Sequence, residues 1–135
     1  MRYASAEGLL AIGGGLSRAR LLEAYANGIF PWYDASTPIL WWALPERCML
    51  RPSEAHIPRS LRREINARRF SVTLDTAFAG VIANCAGSPR PGQEGTWIVP
   101  EMVGAYCDLH EAGFAHSVEA WQGGELAGGL YGVSL

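Results

Sequence analysis

The pattern of apolar and polar positions predicts a strand, a turn and a helix at the start of the chain. Residues 9–12 form a short apolar run, and the three glycines at 13–15 predict a turn after it. Ser17 is a favourable N-cap residue for a helix that we expect to continue to about Asn27. Gly28 then ends the helix, because glycine readily adopts the left-handed conformation found after helix C-termini.

The segment from residue 30 to residue 52 contains four prolines, and we expect it to be largely irregular. Within it, residues 39–42 and 48–50 are the two runs that favour short strands. A basic helix is predicted from Pro58 to Arg68, because proline is well tolerated in the first turn of a helix.

The next segment predicts a strand followed by an amphipathic helix. Residues 70–74 alternate in the manner of a strand, and Asp75 after them is predicted to cap the helix. Apolar residues follow at the helical spacing i, i+3, i+4 and i+7, namely Phe78, Val81, Ile82 and Cys85.

The last part of the chain predicts a helix and a hairpin. The helix begins at Pro100 and ends at Gly113, and two antiparallel strands at 115–121 and 125–135 follow, with a tight turn between them. The fold class predicted by all these elements is α/β (α+β). We divide the chain into a small N-terminal α/β domain at residues 1–54 and a second domain at residues 55–135.

Composition favours a globular protein outside the membrane. The chain is 49% hydrophobic and 18% charged, with a formal net charge of −2. Its apolar runs are broken before the roughly 18 residues that a membrane-spanning helix requires. Glu7 and Gly8 interrupt the apolar core that a secretory signal would need. We therefore expect a cytoplasmic protein without a membrane partner.

The cysteines predict neither a metal site nor a disulfide framework. Cys48, Cys85 and Cys107 lie far apart and form no CxxC pair, and no histidine accompanies them at ligand spacing. Cys85 and Cys107 fall on apolar helix faces and are predicted to be small core residues. We expect no metal and no cofactor.

The positive charges are concentrated in one segment. The chain has no lysine, and five of its eleven basic residues lie between positions 59 and 69. These are Arg59, Arg62, Arg63, Arg68 and Arg69. Two readings are open, since such a run is typical of a solvated helix face and arginine is also well suited to binding phosphate.

Four of the five tryptophans, Trp32, Trp41, Trp42 and Trp97, lie in short segments restrained by glycine and proline. Trp32 follows Pro31, and Trp97 follows a loop at residues 88–95 that is rich in proline and glycine. A ring held on a rigid loop offers a preorganised flat face for stacking on a nucleobase. The alternative is that both rings fill the core of a small domain.

The three histidines, His56, His110 and His116, do not form a recognisable catalytic motif with serine or cysteine. We expect His110 and His116 to make structural hydrogen bonds. Glu119 and Glu125 lie on the predicted hairpin, and we expect both to be solvated strand residues.

Eight motif blocks follow one another along the chain: GLLAIGG at 8–14, GIFPWY at 28–33, ILWW at 39–42, HIPRSL at 56–61, GTWI at 95–98, LHEAG at 109–113, AHSVE at 115–119 and GGLYGV at 128–133. In this order they resemble the bacterial leucyl/phenylalanyl-tRNA–protein transferase family. Because the blocks span nearly the whole chain, the resemblance is far more specific than any single block. It implies that residues 55–135 are the first half of an acetyltransferase-like (GNAT) domain.

The resemblance also implies an activity. Members of this family transfer leucine, phenylalanine or sometimes methionine from aminoacyl-tRNA to the N-terminal arginine or lysine of an acceptor protein, which marks that protein for degradation. The implied partners are therefore aminoacyl-tRNA and such acceptor proteins, with no DNA, and the complete protein is expected to be a monomer.

The family's substrate-binding residues match positions of this chain. Trp32 and Trp97 resemble the tryptophans that grip the 3′-terminal adenosine of the tRNA, and Tyr25 and Tyr106 match tyrosines near that end of the substrate. Both tyrosines also lie on apolar helix faces, so a purely structural position in the core is the alternative. Leu130 matches a position of the amino-acid pocket. The arginines of residues 59–69 resemble the basic helix that meets the tRNA acceptor stem.

Family members continue beyond the GGLYGV block into stretches that carry a glutamate and a glutamine linked to catalysis. The sequence stops at Leu135, before both stretches. No catalytic residue is therefore assigned within residues 1–135, and we expect these residues alone not to catalyse transfer. Two alternatives stay open: a non-catalytic tRNA-binding remnant, and an acetyltransferase that uses acetyl-CoA.

Overall fold

The computed structural model describes residues 5, 7–89, 91–92 and 95–135. The loop predicted at residues 88–95 therefore lies partly outside the described residues. Within them, helices and antiparallel sheets alternate along the chain, which agrees with the predicted α/β (α+β) class. None of the helices in this part of the chain is both long and apolar enough to cross a membrane.

The first sheet has three antiparallel strands in the order β1-β3-β2. Strand β1 is Leu9–Ile12, β2 is Phe30–Pro31 and β3 is Leu40–Trp42. Helix α1, Arg18–Ala26, connects β1 to β2. The predicted strand and helix at the start of the chain are confirmed, although the Ser17 side chain makes no capping hydrogen bond. The two-residue strand β2 lies in the segment predicted to be largely irregular.

The second predicted strand of that segment was wrong. Residues 48–50 are not in a strand, and the side chains of Met49 and Leu50 are exposed. An isolated extended segment is not stable, because its backbone groups need a neighbouring strand. Among the described residues, no strand pairs with this segment. The basic helix α2, Arg59–Ala67, follows as predicted, and none of its residues is buried.

The second sheet has the antiparallel order β4-β5-β6. Strand β4 is Ser71–Leu74, β5 is Ala115–Gln122 and β6 is Glu125–Val133. The hairpin between β5 and β6 is confirmed. Gly123 and Gly124 both have positive φ, 60° and 87°, which a tight two-residue turn of this hand requires.

Helices α3, Phe78–Gly87, and α4, Pro100–Glu111, pack on one face of the second sheet. Gly129 lets α3 approach β6 closely, because a Cβ atom at this position would lie 2.8 Å from a methyl carbon of Val81. The other face of this sheet is open. Its exposed apolar side chains include Val72, Leu74 and Leu130.

One buried cluster joins the two sheets. It includes Leu21 of α1, Trp41 of β3, Ile82 of α3, and Met102, Tyr106 and Leu109 of α4. On the surface, Arg18 of α1 donates two hydrogen bonds to the Asp108 carboxylate of α4, at 3.0 and 2.5 Å. The division into domains at residues 1–54 and 55–135 stays a prediction.

Asp75 is not a helix cap. The N-cap of α3 is Ala77, whose side chain makes no capping hydrogen bond. Asp75 instead has a left-handed φ of 57°, and its carboxylate accepts the backbone N–H of Ser117 at 2.8 Å and Nδ1 of His116 at 2.7 Å. These hydrogen bonds, that from His116 above all, lower the pKa of Asp75. The local prediction failed because the donors belong to β5, which is distant in sequence.

Glu119 is not solvated, and this expectation was wrong. Its side chain is fully buried on β5, where four donors surround the carboxylate. They are the hydroxyls of Ser117, Thr73 and Thr76, at 2.5, 2.5 and 3.0 Å, and the backbone N–H of Ala77 at 3.3 Å. Burial by itself raises the pKa of Glu119, but the hydrogen bonds outweigh it and lower the pKa to about 2. Glu125 is exposed, as expected.

Candidate functional site

Trp32 and Trp97 line the same cavity, which has a volume of about 350 Å³. We call it the tryptophan cavity. Its other lining residues are Tyr33, Asp34, Thr37, Leu40, Trp42 and Thr96. Trp32 is 47% exposed, so about half of this residue's surface is not used to fill the core. The cavity thus offers aromatic surfaces with a few polar groups at its wall, a composition typical of small-ligand sites.

The backbone of Trp32 is held on both sides of its ring. Its N–H donates to the carbonyl oxygen of Leu40 at 2.9 Å, and its carbonyl oxygen accepts from the indole Nε1 of Trp42 at 2.7 Å. The segment that carries Trp32 begins at Gly28, which has a φ of 71°. The guanidinium of Arg47 donates to the carbonyl oxygen of Gly28 and lies over the Phe30 ring. These contacts support the expectation of a rigid loop.

Tyr33 lies at the boundary between this cavity and the core. It is buried, and its hydroxyl donates to Glu101 Oε2 at the start of α4, at 3.4 Å. Burial, and then the negative charge of Glu101, raise the pKa of Tyr33 to about 12. The phenol therefore stays protonated at neutral pH and connects the loop of Trp32 to α4.

A second cavity of about 380 Å³ is lined by Tyr25, Tyr106 and Trp97. We call it the tyrosine cavity. The hydroxyls of Tyr25 and Tyr106 are hydrogen-bonded to each other, and their rings meet edge to face. Burial is the main reason that the pKa of each is raised. Both groups therefore remain protonated and able to donate a hydrogen bond at neutral pH.

Trp97 belongs to both cavities, and it therefore connects Trp32 with Tyr25 and Tyr106. The structure thus places four of the predicted substrate-binding residues in the walls of two cavities that share Trp97. Trp97 is half-buried and also packs against the core. The same ring therefore fits both the prediction that it stacks on a base and the alternative that it fills the core. Chemically, the region combines flat aromatic surfaces with neighbouring phenol hydroxyls. This combination suits a planar base attached to a polar group.

Leu130 lies elsewhere. Its side chain is 64% exposed on the open face of the second sheet, opposite Val118 of β5. Its neighbours on β6, Tyr131 and Gly129, point to the helix-covered face, since successive side chains of a strand alternate. The structure does not bring Leu130 into either cavity.

Three of the predicted arginines share one face of α2. Arg59, Arg62 and Arg63 stand at i, i+3 and i+4, and all three are exposed. Among the described residues, these three make no ion pair. Arg68 follows the helix with a left-handed φ of 50°, and Arg69 is paired with Glu64 at 2.6 Å. The uncompensated charge is therefore concentrated at the first two turns of α2.

The histidines make the structural hydrogen bonds that the sequence predicts. His110 donates through Nδ1 to the carbonyl oxygen of Ala115 at 2.8 Å, and its ring stacks on Phe78 with centroids 4.4 Å apart. His116 binds Asp75, as described above. In the part of the chain that the structure describes, no three His, Cys, Asp or Glu side chains form a group that could hold a metal ion.

Sequence reasoning did not assign Trp42, Tyr33 and Tyr131 to the site. Tyr131 packs edge to face against Tyr106 and lines the tyrosine cavity. Alternation along a strand was the available signal for Trp42 and Tyr131: of two adjacent residues, one faces the core and the other does not. This alternation does not predict which of the two residues lies at a cavity, because the position of the neighbouring strands decides it.

The comparisons with known proteins agree with the motif analysis. Residues 49–135 match the family described as leucyl/phenylalanyl-tRNA protein transferase, and residues 14–44 match that family's N-terminal domain. Similar proteins, each named leucyl/phenylalanyl-tRNA–protein transferase, occur in Oleidesulfovibrio alaskensis (66% identical), Anaeromyxobacter sp. (61%) and Nitratidesulfovibrio vulgaris (60%). Each alignment covers 98% of this chain but only 55% or 56% of the relative.

The chain therefore spans about half the length of the curated relatives that it matches. The family match to residues 49–135 alone covers more than half of the chain. The chain belongs to the leucyl/phenylalanyl-tRNA–protein transferase family.

Proposed function

We propose that the protein transfers leucine, phenylalanine or methionine from aminoacyl-tRNA to the N-terminal arginine or lysine of acceptor proteins, marking them for degradation. The observation that carries this proposal is the position of Trp97 between the tryptophan and tyrosine cavities. A single elongated substrate end can contact all four predicted aromatic residues there. Membership in the family supports the proposed reaction. The two cavities support the proposed binding of the 3′ end that all aminoacyl-tRNAs share.

We assign the terminal adenine to the tryptophan cavity, in contact with Trp32 and Trp97. The volume of about 350 Å³ is within the usual range for small-ligand sites. Each aromatic contact with a base is worth about 1–3 kcal/mol. The half-exposed ring of Trp32 is already held by its backbone hydrogen bonds, so little conformational entropy is lost on binding.

The hydroxyls of Tyr25 and Tyr106 are assigned to the sugar–phosphate portion of the same end. Their raised pKa values keep both phenols neutral. Because one hydroxyl donates to the other, one O–H of the pair remains to donate to a phosphate or ribose oxygen. Leu130 is assigned to the amino-acid pocket on the strength of the GGLYGV block alone, because its exposed side chain lies outside both cavities.

The face of α2 that carries Arg59, Arg62 and Arg63 is assigned to the tRNA acceptor stem. Exposed guanidinium groups without an acidic partner bind phosphate oxygens readily, with little dependence on base sequence. Residues 55–135 would then be the first half of a GNAT-like domain, after an N-terminal domain at 1–54. We propose a monomer that acts in the cytoplasm, where aminoacyl-tRNA is available.

The proposed transfer requires little covalent catalysis, because the ester between amino acid and ribose is already activated. Binding the two substrates in a reactive geometry supplies up to about 7–11 kcal/mol in favourable cases. The residues described here bind and orient the donor end. No catalytic role is assigned to any of them.

The test is a transfer assay. The protein expressed from its complete reading frame is incubated with radiolabelled Leu-tRNA and a peptide that begins with arginine. A matched peptide that begins with glycine is the control. We expect label on the arginine peptide only. Binding of Leu-tRNA without transfer would favour a tRNA-binding role, and acetylation from acetyl-CoA would favour an acetyltransferase.

A further inference from the structure

Trp41 and Trp42 are adjacent on β3 and have opposite environments. Trp41 is 6% exposed in the core, and its indole N–H donates to the carbonyl oxygen of Gly13 at 3.0 Å. Trp42 lies at the tryptophan cavity, and its indole N–H donates to the carbonyl oxygen of Trp32 at 2.7 Å. Each indole N–H therefore holds a backbone carbonyl. The Trp41 ring does so from the core, and the Trp42 ring does so at the cavity to which we assign the adenine.

The position of Trp42 is fixed by the sheet. Strand β3 is the middle strand, and Trp42 is opposite Leu9 of β1 on one side and Phe30 of β2 on the other. The Trp42 ring lies against the Trp32 ring, with centroids 6.0 Å apart and planes inclined at 57°. A tilted contact of this kind is favourable between aromatic rings and restricts their relative motion.

We propose that Trp42 is a positioning residue that orients Trp32 for stacking on the terminal adenine of the donor tRNA. This proposal rests on the proposed function. The indole N–H of Trp42 fixes the Trp32 backbone, and the Trp42 ring supports one side of the Trp32 ring. The remaining surface of Trp32 is thereby held toward the cavity that Trp97 also lines.

The effect is preorganisation. A Trp32 side chain that samples several rotamers must lose that freedom when it stacks on a base, and the loss weakens binding. A ring that is already fixed avoids most of this cost. Removing the hydrogen bond should therefore raise the dissociation constant without removing any group that is assigned to the reaction.

The chain offers a matched pair of variants, Trp42→Phe and Trp41→Phe. Each removes one indole-to-carbonyl hydrogen bond from the same strand and keeps an aromatic ring. The probe is a stable adenosine analogue that carries phenylalanine at the 3′ position through an amide. For Trp42→Phe we expect Kd to rise roughly two- to tenfold, the cost of ordering one side chain on binding. For Trp41→Phe we expect a lower Tm and an unchanged Kd.

A second measurement follows Trp32 without any ligand. The protein is labelled with 5-fluorotryptophan, and the Trp32 signal is identified in the ¹⁹F NMR spectrum from its absence in Trp32→Phe. We expect Trp42→Phe to shift or broaden this signal and Trp41→Phe to leave it in place. If the unmodified protein does not bind the probe, the proposed function fails, whereas the spectra still decide whether Trp42 holds Trp32.

The proposal is overturned by any of three results. They are an unchanged Kd for Trp42→Phe in a protein that binds the probe, an equal rise in Kd for Trp41→Phe, and a Trp32 signal that does not respond to Trp42→Phe. A Kd change confined to Trp42→Phe, together with a Trp32 signal that moves only in that variant, supports it.

Discussion

The hydroxyl groups of Tyr25 and Tyr106 are hydrogen-bonded to each other although 81 positions separate the two residues. Tyr25 lies on α1, beside the first sheet, and Tyr106 lies on α4, which packs on the second sheet. The contact therefore joins the two parts of the molecule at the wall of the tyrosine cavity. The Arg18–Asp108 pair connects the same two helices on the surface.

We expect this tyrosine pair to contribute to both stability and binding. Tyr25→Phe and Tyr106→Phe should each lower the free energy of unfolding by about 0.5–1.5 kcal/mol, because each leaves a partly buried hydroxyl without its present partner. The double variant should cost less than the sum of the two, since the bond is lost only once. Denaturant unfolding of the unmodified protein, the two single variants and the double variant measures the coupling energy between the two hydroxyls. If the losses in the free energy of unfolding were strictly additive, the expectation would be wrong.

Trp32→Ala and Trp97→Ala should each weaken binding of the aminoacyl-adenosine analogue by about 1–3 kcal/mol. Trp97→Ala should also lower Tm, because this ring packs against the core, whereas the half-exposed Trp32 contributes less to stability. Calorimetric titration below the transition temperature separates the two effects. Trp121→Phe, outside both cavities, is the control. If the folded variants bind the analogue with unchanged affinity, both rings have a purely structural role.

Replacing Arg59, Arg62 and Arg63 together with glutamine should lower the affinity for tRNA and flatten its dependence on salt. Each phosphate contact contributes to the slope of log K against log salt concentration, so the slope should fall in magnitude by up to about three. Because none of α2 is buried, we expect Tm to stay unchanged. Glutamine in place of Arg18, which is paired with Asp108, is the control. An identical slope before and after the change would identify α2 as a solvated face.

Glu119 should make the free energy of unfolding depend on pH in the acidic range. Its pKa is about 2 in the folded protein, below its ordinary value of 4.5, so the folded state binds a proton less readily than the unfolded state. The resulting stabilisation is complete above about pH 4.5 and is lost as the pH falls toward 2. Denaturant unfolding between pH 7 and pH 2 measures it.

Glu119→Gln should lower the free energy of unfolding at neutral pH by about 1–3 kcal/mol, since an amide cannot accept all four hydrogen bonds. The difference between this variant and the unmodified protein should shrink as the pH falls through the same window. Glu125→Gln, on the exposed strand next to it, should show neither effect. A pH-independent difference would mean that the charge of Glu119 does not contribute.

The sequence by itself determined the local elements and the identity of most candidate residues. Helix α1 was predictable because its start at Ser17 and its end before Gly28 depend on residues only a few positions apart. The same is true of the Gly123–Gly124 turn, where positive φ is a local requirement. Two motif blocks contain Trp32 and Trp97, and the family resemblance indicated Tyr25 and Tyr106.

Only the tertiary structure decided how these residues meet and which polar groups are buried. The hydroxyls of Thr73 and Thr76 reach Glu119 from 46 and 43 positions away, and no local pattern reveals such donors. Strand pairing likewise decided that Trp41 fills the core and Trp42 faces the cavity, while residues 48–50 found no partner strand among the described residues. Pairing and burial depend on segments far apart in the chain, whereas periodicity and capping depend on near neighbours.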